Sequence, residues 1–307
     1  MPTILITGGT GLVGKTLTPL LIAAGHNVVI FSRSDKKSNS PRVTFAKWDV
    51  KAQTIDRSAI SVADHIIHLA GAGVMDKRWN DKWKKEIVES RTLSSALIVK
   101  ALKENPNKVQ SVISASAIGY YGADVEGEKP FRETDPPNDN FLAHTCEAWE
   151  KSIDPVITLN KRLVKFRIGI VLSNDGGAFL EFKKPLKYGI ATVLGSGKQI
   201  ISWIHIDDLC RMFMDAIQNP KISGVYNAVA PNPVRNKTLI LKTAALCRGK
   251  FYIPIHVPGL ALKIALGSGS IEILKSATVS ADKIVGTGFE FLYPTVDGAL
   301  KELCRLS

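Results

Sequence analysis

The chain has 307 residues and 33.4 kDa, which at roughly 150 residues per domain means one large domain or two unequal ones. Apolar residues at 45%, charged residues at 22%, and only 24 glycines and 15 prolines exclude disordered, collagen-like and low-complexity classes. The formal charge of +12 admits a polyanionic partner. However, the densest charged run, 76–91, interleaves six basic with four acidic residues and reads as a solvated helix face. No nucleic acid is expected, and a phosphate-bearing small molecule suits the charge better.

In chain order, the β-branched run 3–7 predicts a strand that runs into Gly8, Gly9, Thr10, Gly11, Leu12, Val13 and Gly14, with helical periodicity at once over 12–24. Without Cβ atoms, Gly8 and Gly11 suit a tight turn that admits a pyrophosphate, and Gly14 lets the helix pack on the strand. The helix N-terminus offers free N–H groups to the anion. A strand over 27–32 follows, where a site preferring NAD would end on Asp or Glu to hold the ribose 2′-hydroxyl. Here Phe31, Ser32, Arg33 and Ser34 stand instead. Arg33 with the Ser32 hydroxyl suits a 2′-phosphate, with Lys36 or Lys37 as screening charges, so NADP(H) is the expected cofactor. The bland alternative is an exposed arginine opening a loop.

Strands are predicted over 43–48, 65–69, 110–115, 163–172 and 225–230, and helices over 81–104, 143–153 and 206–218. This alternation predicts an α/β fold, a doubly wound parallel (Rossmann) sheet. His65 and His68 lie three apart in a strand and cannot chelate one metal, so no metal is expected. Segment 116–140 is too long for an ordinary connection and is expected to be a functional loop over the carboxyl edge of the sheet. After Pro231, helical patterns around 238–247, 260–267 and 297–306 predict a smaller, mostly helical C-terminal domain. The expected division is a Rossmann domain over 1–172, completed by about 203–230, and a substrate domain over 173–202 and 231–307.

The apolar stretch 257–267 is broken by Lys263 and is far short of the ~20 residues that span a bilayer. The N-terminus has no basic region of a secretory signal. No membrane association and a cytoplasmic location are expected. Cys146, Cys210, Cys247 and Cys304 have no metal spacing and are expected to be reduced thiols without disulfides.

TGGTGLVG at 7–14, HLAGAGV at 68–74, SASAIGYYG at 114–122 and WIHIDDL at 203–209 together resemble the extended short-chain dehydrogenase/reductase superfamily, in its NAD-dependent epimerase/dehydratase branch. More closely, the chain is similar to the atypical subgroup of epimerase family proteins. Arg78, Trp79 and Asn80, then Ser90 and Arg91, the 195–205 segment, 226–233 and a small C-terminal domain of unknown function carry that likeness. The resemblance implies that Gly8, Thr10, Gly11, Leu12 and Val13 contact the pyrophosphate, with Arg33 on the adenosine ribose phosphate and Asp49 and Val50 at the adenine edge. Leu69, Ala70, Gly71 and Ala72 would line the adenosine and ribose. Ser114, Ala115 and Ser116 would reach toward the nicotinamide, with Arg167, Ile168, Gly169 and Ile170 closing the far side.

The resemblance also exposes a departure. Typical members carry a Tyr and, four residues on, a Lys that lowers the phenol's pKa for proton transfer. Aligned on Glu150, those positions here are Leu142 and Cys146. The expected substitutes are Ser116 and Tyr121 as catalytic residues, with Tyr120, Lys183, Trp203 and His205 toward the substrate. Each has a plainer role in packing or helix capping, including Asp207 and Asp208 as caps after His205. A Ser116–His205–Asp207 relay lacks a nucleophile elbow and is not expected. Gly176, Gly177, Lys183 and Lys187 lie where extended members contact substrate, favouring an anionic one if the lysines face the cleft. The resulting expectation is an NADP(H)-binding oxidoreductase-like or epimerase-like enzyme acting on a small molecule, with a homodimer as the candidate assembly. The alternative is a catalytically silent NADP(H) sensor or partner-binding protein.

Overall fold

The fold was described from a computed structural model covering residues 1–125 and 127–305. Its first half runs β1 (Thr3–Thr7), α1 (Leu12–Ala23), β2 (Asn27–Ser32), β3 (Val43–Asp49), a short β4 (Thr54–Ile55), α2 (Arg57–Val62), β5 (His65–His68), α3 (Asp81–Glu104), β6 (Ser111–Ala117) and α4 (Phe141–Ile153). The second half continues with β7 (Arg162–Ile168), β8 (Ile170–Leu172), α5 (Gly177–Leu186), β9 (Ile190–Leu194), β10 (Ile200–Ile201), β11 (Trp203–His205), α6 (Ile206–Gln218) and β12 (Gly224–Ala228). Then come β13 (Val234–Arg235), α7 (Asn236–Arg248), β14 (Ile253–Val257), α8 (Gly259–Leu266), α9 (Ser270–Leu274), α10 (Asp282–Val285) and α11 (Val296–Arg305).

Eight strands form the main sheet in the order β12-β7-β6-β5-β1-β2-β3-β4. All neighbours are parallel except β3 and β4. The chain winds outward from β1 in both directions, so the strand order reverses between β1 and β5, where doubly wound sheets bind their ligands. The strands are nearly continuous apolar runs because both faces are covered. Along β1, Ile4 and Ile6 join the core under α1 and α6 with Leu17, Leu21, Leu209 and Phe213. Leu5 points to the opposite core, under α2 and α3, with Ile60, Leu97 and Ile98.

The predicted strand 163–172 is two strands. Gly169 interrupts it, because β8 leaves the main sheet and pairs with β11. A Cβ on Gly169 would sit 2.7 Å from the Ser202 carbonyl oxygen, so this crossing requires glycine. The C-terminal portion also has its own strands, with β9 and β14 paired in parallel and apolar residues of α5, α7 and α11 gathered on Trp203.

The cysteine expectation is corrected here. Cys247 on α7 and Cys304 on α11 form a disulfide, while Cys146 and Cys210 are free and buried. The two partners are 57 residues apart and meet only because α7 packs against α11, which spacing alone does not reveal. Among the described residues no helix is long and apolar enough to cross a membrane.

Segment 116–140 is anchored over the sheet. The Asp124 carboxylate accepts the Thr278 N–H and hydroxyl at 2.6 and 2.7 Å. Phe131 exchanges backbone hydrogen bonds with Thr278 and Ser280. The segment therefore fastens the Rossmann sheet to the C-terminal portion.

Candidate functional site

The site begins where β1 meets α1. Gly8 has φ +69°, and a Cβ there would lie 2.8 Å from the Leu69 carbonyl group, so only glycine fits against the β5 backbone. Gly11 has an ordinary φ of −80° and serves as the N-cap without a side-chain hydrogen bond. The first helical bond runs from the Lys15 N–H to the Gly11 carbonyl. The N–H groups of Leu12, Val13 and Gly14 thus lack partners within the helix, and no acidic residue neutralises the first turn. A Cβ on Gly14 would come 2.4 Å from Gly9 Cα, so Gly14 is what lets helix and turn touch. With Thr10 exposed beside it, this turn has the form and charge to hold a pyrophosphate.

At the next carboxyl end, Ser32 is buried and its hydroxyl accepts the Ser34 N–H at 3.3 Å. Arg33 is exposed, and among the described residues no carboxylate pairs with it. Asp49 closes a turn by accepting the N–H groups of Lys51 and Ala52 at 2.9 and 3.0 Å, ahead of Val50.

The wall formed by Leu69, Ala70, Gly71 and Ala72 is held from beneath. The Thr7 hydroxyl accepts the N–H groups of Leu69 and Ala70. Its own proton therefore goes to His68 Nδ1, 2.7 Å away, which leaves His68 Nε2–H to donate to Ser95 at 3.1 Å. Burial pushes the His68 pKa down to about 3, so the ring is neutral. Ser90 on α3 completes the wall by accepting the Ala72 N–H at 3.0 Å.

The carboxyl ends of β6 and β7 are organised differently. Glu150 is buried on α4 and receives Arg167 twice, Nε at 2.8 Å and Nη2 at 3.0 Å. Ser116 Oγ donates to the same carboxylate at 2.7 Å. Arg167 Nη1 then donates to the Tyr121 hydroxyl at 2.9 Å, which donates to Asn227 Oδ1 at 2.6 Å. Asn227 in turn donates its backbone N–H to Glu133 of the anchored loop. Burial alone would lower the Arg167 pKa, but Glu150 and Tyr121 raise it above its ordinary value. Burial raises the Tyr121 phenol well above the usual tyrosine range, with Arg167 opposing.

This network engages both residues of the expected catalytic pair. Tyr121 is 1% exposed and stacks on Phe131, and Ser116 is 2% exposed and committed to Glu150. Neither offers a free group to a substrate. Arg167 lies at the expected strand end but spends its guanidinium inward. Ser114, also buried, turns its hydroxyl to the Ala115 carbonyl. Tyr120 is the more open phenol of the pair, with the Arg167 guanidinium 3.4 Å from its ring centre. Adjacent residues in the turn after β6 point in different directions, so only one of the two tyrosines reaches the surface.

The substrate-side expectations fare unevenly. Trp203 is fully buried in the core, and its indole N–H donates to the Asn232 carbonyl. His205 is the N-cap of α6. Its Nδ1 accepts the Asp207 N–H at 3.2 Å, and its Nε2 lies 3.1 Å from Glu302 on α11. The histidine, not the following aspartates, caps the helix, and Asp208 instead accepts the N–H groups of Leu292 and Tyr293. Lys183 donates to Asn174 at 2.8 Å, and burial followed by Lys187 lowers its pKa. Ile170 is exposed beside Gly169, and Gly177 lies close to Leu12 of α1. Leu142 and Cys146 face Gly119, where an added Cβ would be 3.3 and 3.8 Å from their side chains. Apolar packing thus occupies the usual Tyr–Lys position. Among the described residues, no group of three His, Cys, Asp or Glu could hold a metal ion.

Glu150 as an ionic anchor, Asn227 and Glu133 were not singled out from sequence. The available signal was Lys165 and Arg167 inside the apolar strand β7, since a cation on a strand covered on both faces requires a buried anion.

Comparison with known proteins places the chain among relatives. Residues 4–147 match the NAD dependent epimerase/dehydratase family, and residues 257–303 match a domain of unknown function, DUF1731. The chain is 33% identical to epimerase family protein YfhF of Bacillus subtilis, covering 98% of this chain and 97% of that one. It is 32% identical to a chloroplastic epimerase family protein SDR39U1 homolog of Arabidopsis thaliana, covering 99% and 87%. Among solved structures, human epimerase family protein SDR39U1 (isoform 2), crystallised with NADPH, is 27% identical with a TM-score of 0.86 and 99% coverage of each chain.

Proposed function

We propose that this chain, which belongs to the NAD dependent epimerase/dehydratase family and to its epimerase family proteins, is an NADP(H)-dependent enzyme with hydride-transfer chemistry on a small carbonyl or hydroxyl substrate. The observation that carries this reading is the β1–α1 turn, where Gly8 and Gly14 let strand, turn and helix meet at backbone distance and, among the described residues, the first turn of α1 presents N–H groups with no partner in the helix and no side-chain cap. That NADPH accompanies the human relative supports the phosphorylated form. So does Arg33, in the place where an acidic residue would repel a 2′-phosphate.

The cofactor supplies hydride chemistry when bound. The chain would hold its pyrophosphate with the N–H groups of Thr10, Leu12 and Val13, the Gly11 N–H being spent on the Gly8 carbonyl at 2.9 Å, and its 2′-phosphate with Arg33 and Ser32. Asp49 and Val50 would border the adenine, with Leu69 through Ala72 as the wall, and Ser114, Ala115, Gly169 and Ile170 would bound the nicotinamide end. Tyr120 holds the transferable proton at its phenol oxygen, because its neighbour is sealed inside. Burial raises the Tyr120 pKa, with Arg167 opposing, so the phenol keeps its proton at neutral pH.

A second reading, binding without turnover, is favoured by Leu142 and Cys146 in place of the Tyr–Lys pair. Titration with NADPH and NADH tests the first step. NADPH should bind more tightly, and Arg33→Ala should weaken NADPH about tenfold or more, from loss of a charge-assisted contact, with little change for NADH. Equal losses for both would remove the 2′-phosphate assignment. Oxidation of NADPH with a panel of carbonyl compounds, abolished in Tyr120→Phe, separates enzyme from sensor.

A further inference from the structure

Where the usual lysine is replaced by Cys146, a different element brings in a cation. Arg91 lies midway along α3, one residue after the serine that holds the Ala72 N–H. Its guanidinium carbon stands 4.9 Å from the centre of the Trp149 ring on α4. On its other side is the cofactor wall, where a Cβ on Gly71 would be 3.2 Å from the same carbon. Arg91 thus fills the space between the wall and the helix that carries Cys146.

The guanidinium is poorly satisfied there. Among the described residues its one hydrogen bond runs from Nη1 to the Ile87 carbonyl of its own helix, at 2.8 Å. Among the described residues, no carboxylate oxygen lies within 4.0 Å of it. Asp76 exerts only a more distant attraction. Cys146 does not neutralise it either, because burial pushes that thiol up to about 12 and keeps it protonated. The contrast with Arg167 is direct, since that arginine has a full bidentate carboxylate. A half-buried cation without a nearby counter-ion is costly, and a ligand that brings oxygen acceptors recovers part of that cost.

We propose that Arg91 binds the nicotinamide-side half of NADP(H), supplying from α3 the cation that is missing at the Cys146 position of α4. This rests on the cofactor reading above. The acceptors it meets are hydroxyl and phosphate oxygens beyond the adenosine half, and Gly71 is small so that the guanidinium lies directly on the wall. Trp149 fixes the plane of the guanidinium and its remaining N–H groups serve the ligand.

Two ligands separate this assignment from the cofactor reading itself. NADPH contains both halves, whereas 2′,5′-ADP lacks the nicotinamide-side half. Wild-type protein that binds neither ligand would refute the cofactor site, whatever Arg91 does. If both bind, Arg91→Met should weaken NADPH about tenfold or more and leave 2′,5′-ADP within about twofold. Arg91→Lys, which keeps the charge, should recover most of the loss. If Arg91→Met does not fold, as judged by a cooperative melt, Arg91→Gln provides the neutral variant, with the same split expected. Unchanged NADPH affinity in a folded neutral variant overturns the proposal, as do equal losses for the two ligands or no recovery with lysine.

Discussion

The two halves of the carboxyl edge solve opposite problems. At the ends of β1, β2 and β5, backbone donors of α1 and the exposed Arg33 have no internal partners among the described residues. At the ends of β6 and β7, Ser116, Glu150, Arg167, Tyr121 and Asn227 are linked inside the molecule. The first half is built for a ligand to complete, and the second is already complete. Polar residues at a sheet's carboxyl edge are therefore not equally good candidates for chemistry. The useful distinction is whether the folded chain has already used their donors and acceptors.

The most severe way to break the closed half is to remove its cation. Arg167→Leu leaves the buried Glu150 carboxylate with the Ser116 hydroxyl at 2.7 Å and Lys165 at 3.8 Å but without its bidentate cation. Loss of one partner of a buried pair costs about 3–5 kcal/mol, to be read from the urea midpoint at unchanged slope. A loss below about 1 kcal/mol would mean that water reaches the pair and that this half is not closed.

His68 sharpens the boundary between the halves, because it supports the wall through Thr7 from inside the core. Its folded pKa of about 3 lies below the unfolded value of 6.5. The unfolded chain therefore takes up a proton at this position first as pH falls. The stability associated with the neutral ring is present above the unfolded value and is lost as pH descends from about 7 toward 3. Between pH 7 and pH 5 this amounts to about 2 kcal/mol. His68→Asn should remove that part of the slope, whatever it does to stability at pH 7. Parallel stability–pH curves for variant and wild type would show that the ring protonates in the folded state.

The open half was the more legible one because its chemistry is local. A strand, a glycine turn and a helix occupy one stretch of 21 residues from Thr3 to Ala23, and Gly14 has a single packing reason written into its spacing. Arg33 was likewise readable from its place at the end of β2. The closed half depends on residues far apart in the chain, such as Tyr121 with Asn227, 106 positions away. Trp203 and His205 sit in a segment whose motif suggested ligand contact, yet Asn232 and Glu302 claim their polar atoms. The Cys247–Cys304 bridge was missed for the same reason. Charged residues inside β7 did announce that a buried anion existed, but not that it was Glu150.

The smallest effect on stability gives the finest test, and it concerns two neighbouring tyrosines. Tyr121→Phe deletes a hydroxyl that stands between Arg167 and Asn227. Both partners lose a buried hydrogen bond, so about 1–2 kcal/mol of stability should go, while NADPH affinity stays unchanged. Tyr120→Phe removes a phenol oxygen from a partly exposed ring that keeps its contact with Arg167, and stability should stay within about 0.5 kcal/mol. If the open half ends at Tyr120, that variant alone loses turnover while still binding NADPH, because an acid is missing and no binding contact is. Should Tyr121→Phe lose turnover at unchanged stability instead, its hydroxyl must leave Asn227 during the reaction, and the closed half opens when substrate arrives.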